Sequence, residues 1–519
     1  MTVVRTTRGK VRGVVRDGIT SFLGVPFAAE LTGPGWYSAP TPPEPWSGVR
    51  SASEFGPSAP QVRLSPGVDD LLTARVPAGP ACLNLNVWTP SPGSTKAPVM
   101  VWIHGGAFSA GSGSDPWYDG SRFARDGVVC VSVNYRLGPL GFGFFDELFP
   151  NLGEIANRGL HDQVAALRWV QDNIAAFGGD PDNVTAFGQS AGAMSISALL
   201  ASPDARGLFG RAICQSGNAR QSLPREIATR VSRRLLERLR VRPGDTDALL
   251  TAGPDGLTGA ADALMSAFRD GEEPGLLGDH AGNGNLFEPV VDGMLLPSVP
   301  LEAIARGSAG DVDLLIGTTA EEWRFFRIGR SRSPDVDDVM RTVAGYVGAS
   351  NAASVYEGYR DQVPSTEPAD IADAIETDRF FEIPAIRLAA AQSGLRSNVF
   401  LYRFAWRSPA LLPEGIGACH MLEIPFVFDS FDNSLARTLA GPAHPQDLAD
   451  AVHGAWLAFA TNGVPRASGL PAWPRFDDGS RPLMRLDDPP AVEASTASQR
   501  PMWRHAERLP PPPPIERAS

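Results

Sequence analysis

Ser190 stands at the centre of Gly188-Gln189-Ser190-Ala191-Gly192, a Gly-x-Ser-x-Gly pattern that follows the β-rich run NVTAF and opens the small-residue stretch AGAMSISALLAS. A serine on a tight strand-to-helix turn is pushed out above the sheet edge, and glycines two residues to either side let the neighbouring backbone pass. Its hydroxyl is a weak nucleophile near neutral pH, so the chemistry needs a histidine to take the proton and an acid to orient that histidine. With the serine on such a turn, the order along the chain is serine, acid, histidine. Of the 7 histidines, His104 and His161 precede the serine and drop out. His280, His420, His444, His453 and His505 remain. His420 leads, because it lies in GACHMLEIPFVFD, a loop running into an apolar aromatic segment, whereas the others lie in charged helix-like or Pro-rich surface sequence. The acid must come between, just after a strand. VDLLIG at 312–317 is such a strand and is followed by TTAEEW, which makes Glu321 and Glu322 the candidates. Adjacent residues in a turn point in different directions, so one reaches the imidazole and the other is expected to be a solvated carboxylate. Acyl transfer also needs donors for a tetrahedral oxyanion. His104-Gly105-Gly106-Ala107, after VMVWI, is a loop of the kind that supplies them, with Gly106, Ala107 and Ala191 as the three N–H donors.

These residues need a sheet to hold them. PVMVWI from residue 98, VVCVSVN, NVTAFG and GRAICQSG are short apolar runs that end in Gly-rich loops, as buried parallel strands do. Between the second and third, LHDQVAALRWVQDNIAAFGG places Val164, Leu167, Val170, Ile174 and Phe177 at helical spacing, has Asp162 in its first turn and stops at Gly178-Gly179. Alternating strands and helices predict an α/β fold with a mostly parallel, doubly wound sheet. Residues 221–284 and 334–395 read as helical insertions that cap the site, within a single domain over 1–505. LPPPPPIERAS closes the chain as a Pro-rich tail over 506–519.

The remaining composition narrows the partners. Of 519 residues, 46 are Lys or Arg and 58 Asp or Glu, a net charge of -12 with no basic run, which argues against nucleic acid. The N-terminus alternates Val with Arg, Thr and Lys rather than forming a secretory apolar core, and no stretch is apolar enough to span a bilayer. A cytoplasmic protein without membrane attachment is expected, a monomer or weak homo-oligomer whose partner is a small-molecule substrate. Cys82, Cys130, Cys214 and Cys419 are widely spaced, as buried free thiols are.

Together VRGVVRDGITSFLGVPFA, LNLNVWTP, VWIHGGAF, NYRLGPLGF, the long NRGLHDQVAALRWVQDNIAAFGGDPDNVTAFGQSAGA, EPVVDG, GTTAEEWRFF and HMLEIPFVF resemble the type-B carboxylesterases, a cholinesterase-like branch of the α/β-hydrolases, over nearly the whole chain. The resemblance implies ester hydrolysis through an acyl-enzyme, without metal or organic cofactor, on neutral esters. It carries Glu322 over as the triad acid and His420 as the base, and it implies that Ser216, in CQSG, stands near the acid. Three departures matter. Gln189 replaces the glutamate that usually precedes the nucleophile, which weakens the case for cationic substrates, as does the lack of an evident aromatic-rich gorge. Cys82 matches a family cysteine that is disulfide-bonded in secreted members, but Ala59 stands at its partner's position. Trp323 and the segment at 29–40 are unusual and are expected to alter the pocket mouth. A catalytically inactive adhesion-type relative is the alternative, which three filled triad positions oppose; the same triad acting on amides, lactones or thioesters is the other.

Overall fold

The computed structural model describes residues 2–64, 76–93, 96–150, 152, 155–278, 280, 284–328, 333–410 and 415–506. The Pro-rich tail therefore lies outside the described residues, apart from its first residue.

The apolar runs become the strands β1 (Ala97–Ile103), β2 (Val129–Val133), β3 (Gly179–Gln189), β4 (Arg211–Gln215) and β5 (Asp313–Thr319), and two further strands, β6 (Val399–Phe404) and β7 (Pro482–Leu486), continue them. They lie side by side in the order β2-β1-β3-β4-β5-β6-β7, every neighbouring pair parallel. Antiparallel strands extend both edges into a 13-stranded sheet. The alternation of side chains explains why these runs are apolar throughout. Along β1, Val99, Val101 and Ile103 enter one buried cluster while Met100 and Trp102 enter the other, on the opposite face.

Helices fill both faces. α1 (Arg158–Asn173) and α2 (Ala191–Ala201) contribute Val164, Leu167, Val170 and Ile196 to the first cluster, and α3 (Gln446–Asn462) contributes Val452, Trp456 and Phe459 to the second. The first helix is shorter than its periodicity predicts. It ends at Asn173, and Ile174–Phe177 tighten into a 3-10 turn that closes on Gly178, where φ of 91° suits glycine. The segment at 221–284 carries the helices Arg225–Leu239 and Thr246–Arg269, and that at 334–395 carries four helices between Val336 and Ser393, the last two joined by a single π turn at Asp378–Glu382.

Topology now selects the place of the chemistry. The chain runs from β1 to β2 on one side and then crosses back to β3 on the other, so the carboxyl ends of β1 and β3 border the crevice where a doubly wound sheet binds ligands. The loop at His104 and the serine at 190 are the residues that leave those two strand ends. All four cysteines are buried and free. Among the described residues no helix is long and apolar enough to cross a membrane.

Candidate active site

Ser190 has φ 55° and ψ −126°, a strained left-handed conformation at the first turn of α2. Its N–H donates to Gln215 O at 2.8 Å, and its carbonyl accepts from Met194 N. The flanking glycines are required by packing rather than by their own φ. A Cβ on Gly192 would lie 2.0 Å from Ile103 O, and one on Gly188 2.6 Å from the same atom. The turn is thus wedged against the end of β1, with Ser190 Cβ beside the loop that leaves it: a Cβ on Gly105 would lie 3.1 Å away.

The loop after β1 turns sharply at positive φ. Gly106 has φ 112°, and its carbonyl turns inward to accept from Ser109 N and Ala110 N. Ala107 and Phe108 follow at φ 52° and 58°. Within the described residues the N–H groups of Gly106 and Ala107 make no hydrogen bond. Ala191, first residue of α2, has no partner for its N–H within the helix. His104 braces the loop: its ring stacks on Tyr135 at 4.5 Å, its Nδ1 lies 2.8 Å from Gly105 O, and Tyr135 donates to its carbonyl. Burial pushes the His104 imidazole down to about 4, so it stays neutral. Because a Cβ on Gly106 would lie 2.1 Å from Ala110 O, Gly106→Ala must move the donors. On the sequence expectation that this loop receives the oxyanion of an ester, the variant should lose about 100-fold or more in kcat for a p-nitrophenyl ester, the effect of misplacing one such donor, and undiminished turnover would overturn that expectation.

Glu322 and His420 are in direct contact. Nδ1 of His420 lies 2.5 Å from Glu322 Oε2, and the second oxygen, Oε1, accepts from Thr319 N at the end of β5. Both side chains are buried. Glu321 points away, as adjacency requires, but it is not the solvated carboxylate expected from the sequence. It pairs with Arg324 and Arg407 and accepts from Ala418 N. Its role is to hold the loop before His420, where Gly417 passes so close that a Cβ would strike Glu321.

No hydrogen bond joins Ser190 to the imidazole in this structure. The group beside the imidazole is instead Gln189, whose Nε2 lies 3.0 Å from Nε2 and 3.4 Å from Nδ1 of His420. A donor in line with the Nε2 lone pair would be much farther from Nδ1, so the amide lies over the ring and leaves that in-plane lone pair open. Ser216 sits where β4 ends, its N–H donating to Gly317 O. Its hydroxyl is buried, without a partner among the described residues and not bonded to Glu322.

The site is more aromatic than the sequence suggests. Phe325, Phe326 and Phe381 surround His420 with ring centroids at 5.9, 5.1 and 4.9 Å, and Trp323 packs outside them on Phe326, Phe380 and Phe381. Phe380 and Phe381 arrive from the π turn of the second insertion, which is why no local stretch displayed the cluster. In the segment at 29–40, carbonyls of Gly35, Trp36 and Ser38 accept from Arg136, itself paired with buried Asp162 at 2.6 Å. His453 is also not at the surface, being buried in α3 with Nδ1 2.7 Å from Val427 O. Among the described residues no cluster of three His, Cys, Asp or Glu could hold a metal.

Comparison with known proteins bears on this geometry. Residues 1–503 match the Carboxylesterase family. The chain is 37% identical to the para-nitrobenzyl esterase of Bacillus subtilis, covering 96% of this chain and 97% of that one. It is 37% identical to the phenmedipham hydrolase of Pseudarthrobacter oxydans, covering 94% of each. Among solved structures, a thermophilic PNB esterase superposes with a TM-score of 0.84 at 36% identity, over 97% of this chain and 99% of that one.

Proposed function

The chain belongs to the carboxylesterase family and is a carboxylic ester hydrolase of the α/β-hydrolase fold; from that premise we propose that Ser190 is its nucleophile, His420 its general base and acid, and Glu322 the carboxylate that orients the histidine. The observation that carries this reading is the buried 2.5 Å contact between His420 Nδ1 and Glu322 Oε2 beside a serine held at φ 55°. With its Nδ1–H donated in a hydrogen bond to Glu322, the neutral imidazole has its Nε2 lone pair free to accept the serine proton as Oγ attacks the ester carbonyl. The oxyanion that forms is met by the N–H groups of Gly106, Ala107 and Ala191. His420 returns the proton to the departing alcohol, and water repeats the sequence on the acyl-enzyme. A fluorophosphonate should label the protein on Ser190 alone, as peptide mapping would show. Labelling elsewhere, or none, sinks the assignment.

The substrates on this reading are neutral esters, para-nitrobenzyl esters among them. The aromatic rings around His420 and the relative named for such an ester support this. Gln189 supplies no charge to attract a quaternary ammonium, although the rings offer it cation–π contact of about 0.5–2 kcal/mol. For a neutral butyrate ester we expect kcat/KM above that for butyrylcholine, because a quaternary ammonium entering the site sheds water with no carboxylate at position 189 to compensate it, and this cost outweighs the contact with the rings. A choline preference would show that the rings outweigh the missing charge. Four buried free thiols support a reducing, cytoplasmic location, and the 13-stranded sheet, which takes strands from Thr2 to Ala494, supports one domain over 1–505.

A further inference from the structure

Glu423 lies three residues beyond His420 within an otherwise apolar run, Met421–Phe428, and is 1% exposed. Its Oε1 accepts from Gln215 Nε2 at 3.2 Å. The orientation of that amide is not ambiguous, because Gln215 Oε1 accepts from Trp456 Nε1 at 3.0 Å, and an indole N–H can only donate. The main-chain carbonyl of the same Gln215 receives the N–H of Ser190 at 2.8 Å. One residue thus joins a side-chain clamp, closed by Glu423 and Trp456, to the backbone of the strained turn. The other carboxyl oxygen of Glu423, Oε2, meets no donor, and no ion pair reaches it among the described residues. The charged group facing it is Glu322, and the remaining titratable neighbours are Tyr118, Tyr402 and Cys419. An ionised Glu423 would add a second negative charge beside the first, in a place with no cation to compensate it.

We propose that Glu423 is a positioning residue for Ser190, holding the Gln215 amide in its uncharged carboxylic acid form and, through the Gln215 carbonyl, the backbone of the nucleophile. The proposal rests on the reading of Ser190 as nucleophile. Burial, and after it the charge of Glu322, push the Glu423 carboxyl up from its ordinary 4.5 to about 8, in keeping with a proton retained at neutral pH.

The test uses the full chain with p-nitrophenyl butyrate at pH 7. Glu423→Ala and Gln215→Met, which open the clamp from its two ends, should each lower kcat by about tenfold to 100-fold with KM nearly unchanged, since the substrate itself is not touched. Glu423→Gln keeps an acceptor and cannot ionise, and it should restore most of what Glu423→Ala loses. A Glu423→Gln variant as slow as Glu423→Ala would mean that the negative charge is needed, and wild-type kcat in the opened variants would mean that nothing is positioned. Should Glu423→Ala fail to fold, Gln215→Met reads the same clamp. Thermal unfolding adds a second readout. The folded protein keeps the Glu423 proton up to about pH 8, whereas the unfolded chain loses it near 4.5. The stability due to this group is therefore present below that lower pH and is lost as the pH climbs to the higher one. Glu423→Gln has no proton to lose, so its Tm should gain on the wild type between pH 4.5 and 8; an unchanged difference overturns the proposal. Fluorophosphonate separates the two readings. A wild type not labelled on Ser190 fails as a serine esterase, whereas labelling on Ser190 with unchanged kcat in the opened variants fails the clamp alone.

Discussion

Ser190→Ala is expected to lower kcat for a p-nitrophenyl ester by about 10^5-fold to 10^6-fold, a loss of about 7 kcal/mol or more of transition-state stabilisation, while the protein keeps its Tm within a few degrees. The reasons for the two halves differ. The chemistry is lost because no other side chain is presented at the turn between β3 and α2, and the base has nothing left to activate except water. The fold survives because the hydroxyl makes no hydrogen bond in the resting structure, so its removal orphans no buried partner. Alanine, which also carries a Cβ, bears the positive φ at about the same cost as serine. The N–H of residue 190 still reaches Gln215, and the oxyanion donors remain, so a small residual rate above that of water is expected. Retention of a tenth of wild-type turnover would show that acyl transfer at Ser190 is not the route.

How much of this site the sequence displays depends on how far apart the cooperating residues lie in the chain. The serine turn and the loop at His104–Ala107 are local patterns, and both sit at strand ends that their own apolar runs announce. The order of serine, acid and histidine reaches His420 for the same reason. By contrast, Glu321 and Glu322 are indistinguishable as neighbours in TTAEEW. What separates them is that β5 ends with the Thr319 N–H aimed at Glu322 Oε1, while Arg324 and Arg407 take Glu321. The aromatic shell needs Trp323 to Phe326 and the π turn at Asp378–Glu382 to meet across more than 50 residues of chain, a contact no window can show. His453 misleads because its helix carries charges on another face, and its burial depends on Phe123, whose ring it meets at 4.5 Å. Glu423 offers one local hint, a lone carboxylate inside an aromatic run. Its contact with Gln215, a residue of β4, appears only once α3 and the strand ends are assembled.

Glu322→Gln should cost about 10^3-fold to 10^4-fold in kcat, far more than Glu321→Gln, although the two glutamates are adjacent and the change is the same. Both oxygens of Glu322 accept hydrogen bonds, Oε1 from Thr319 N at 2.8 Å and Oε2 from His420 Nδ1. A carboxamide has one acceptor and one donor end, so it must turn its NH2 toward one of these two N–H groups. Facing Thr319, it sets two buried donors against each other, at a cost of about 1–3 kcal/mol. Facing His420, it drives the imidazole into the tautomer with its proton on Nε2, which cannot accept from Ser190, and it removes the charge that stabilises the imidazolium. The first arrangement is strained and the second is inactive, so neither geometry returns the wild-type rate. Glu321 is placed differently. Its partners are two arginines and Ala418 N: a carboxamide can keep its oxygen on Arg407 and Ala418 N and turn its NH2 toward Arg324, which still pairs with Asp370, so the expected loss is less than about tenfold, seen chiefly in Tm as the loop before His420 loosens. Measuring kcat for both variants on one p-nitrophenyl ester, with enzyme concentration fixed by fluorophosphonate titration, compares them directly. Equal losses would mean that the acid is shared, or that the loop held by Glu321 matters as much as the carboxylate bound to the histidine.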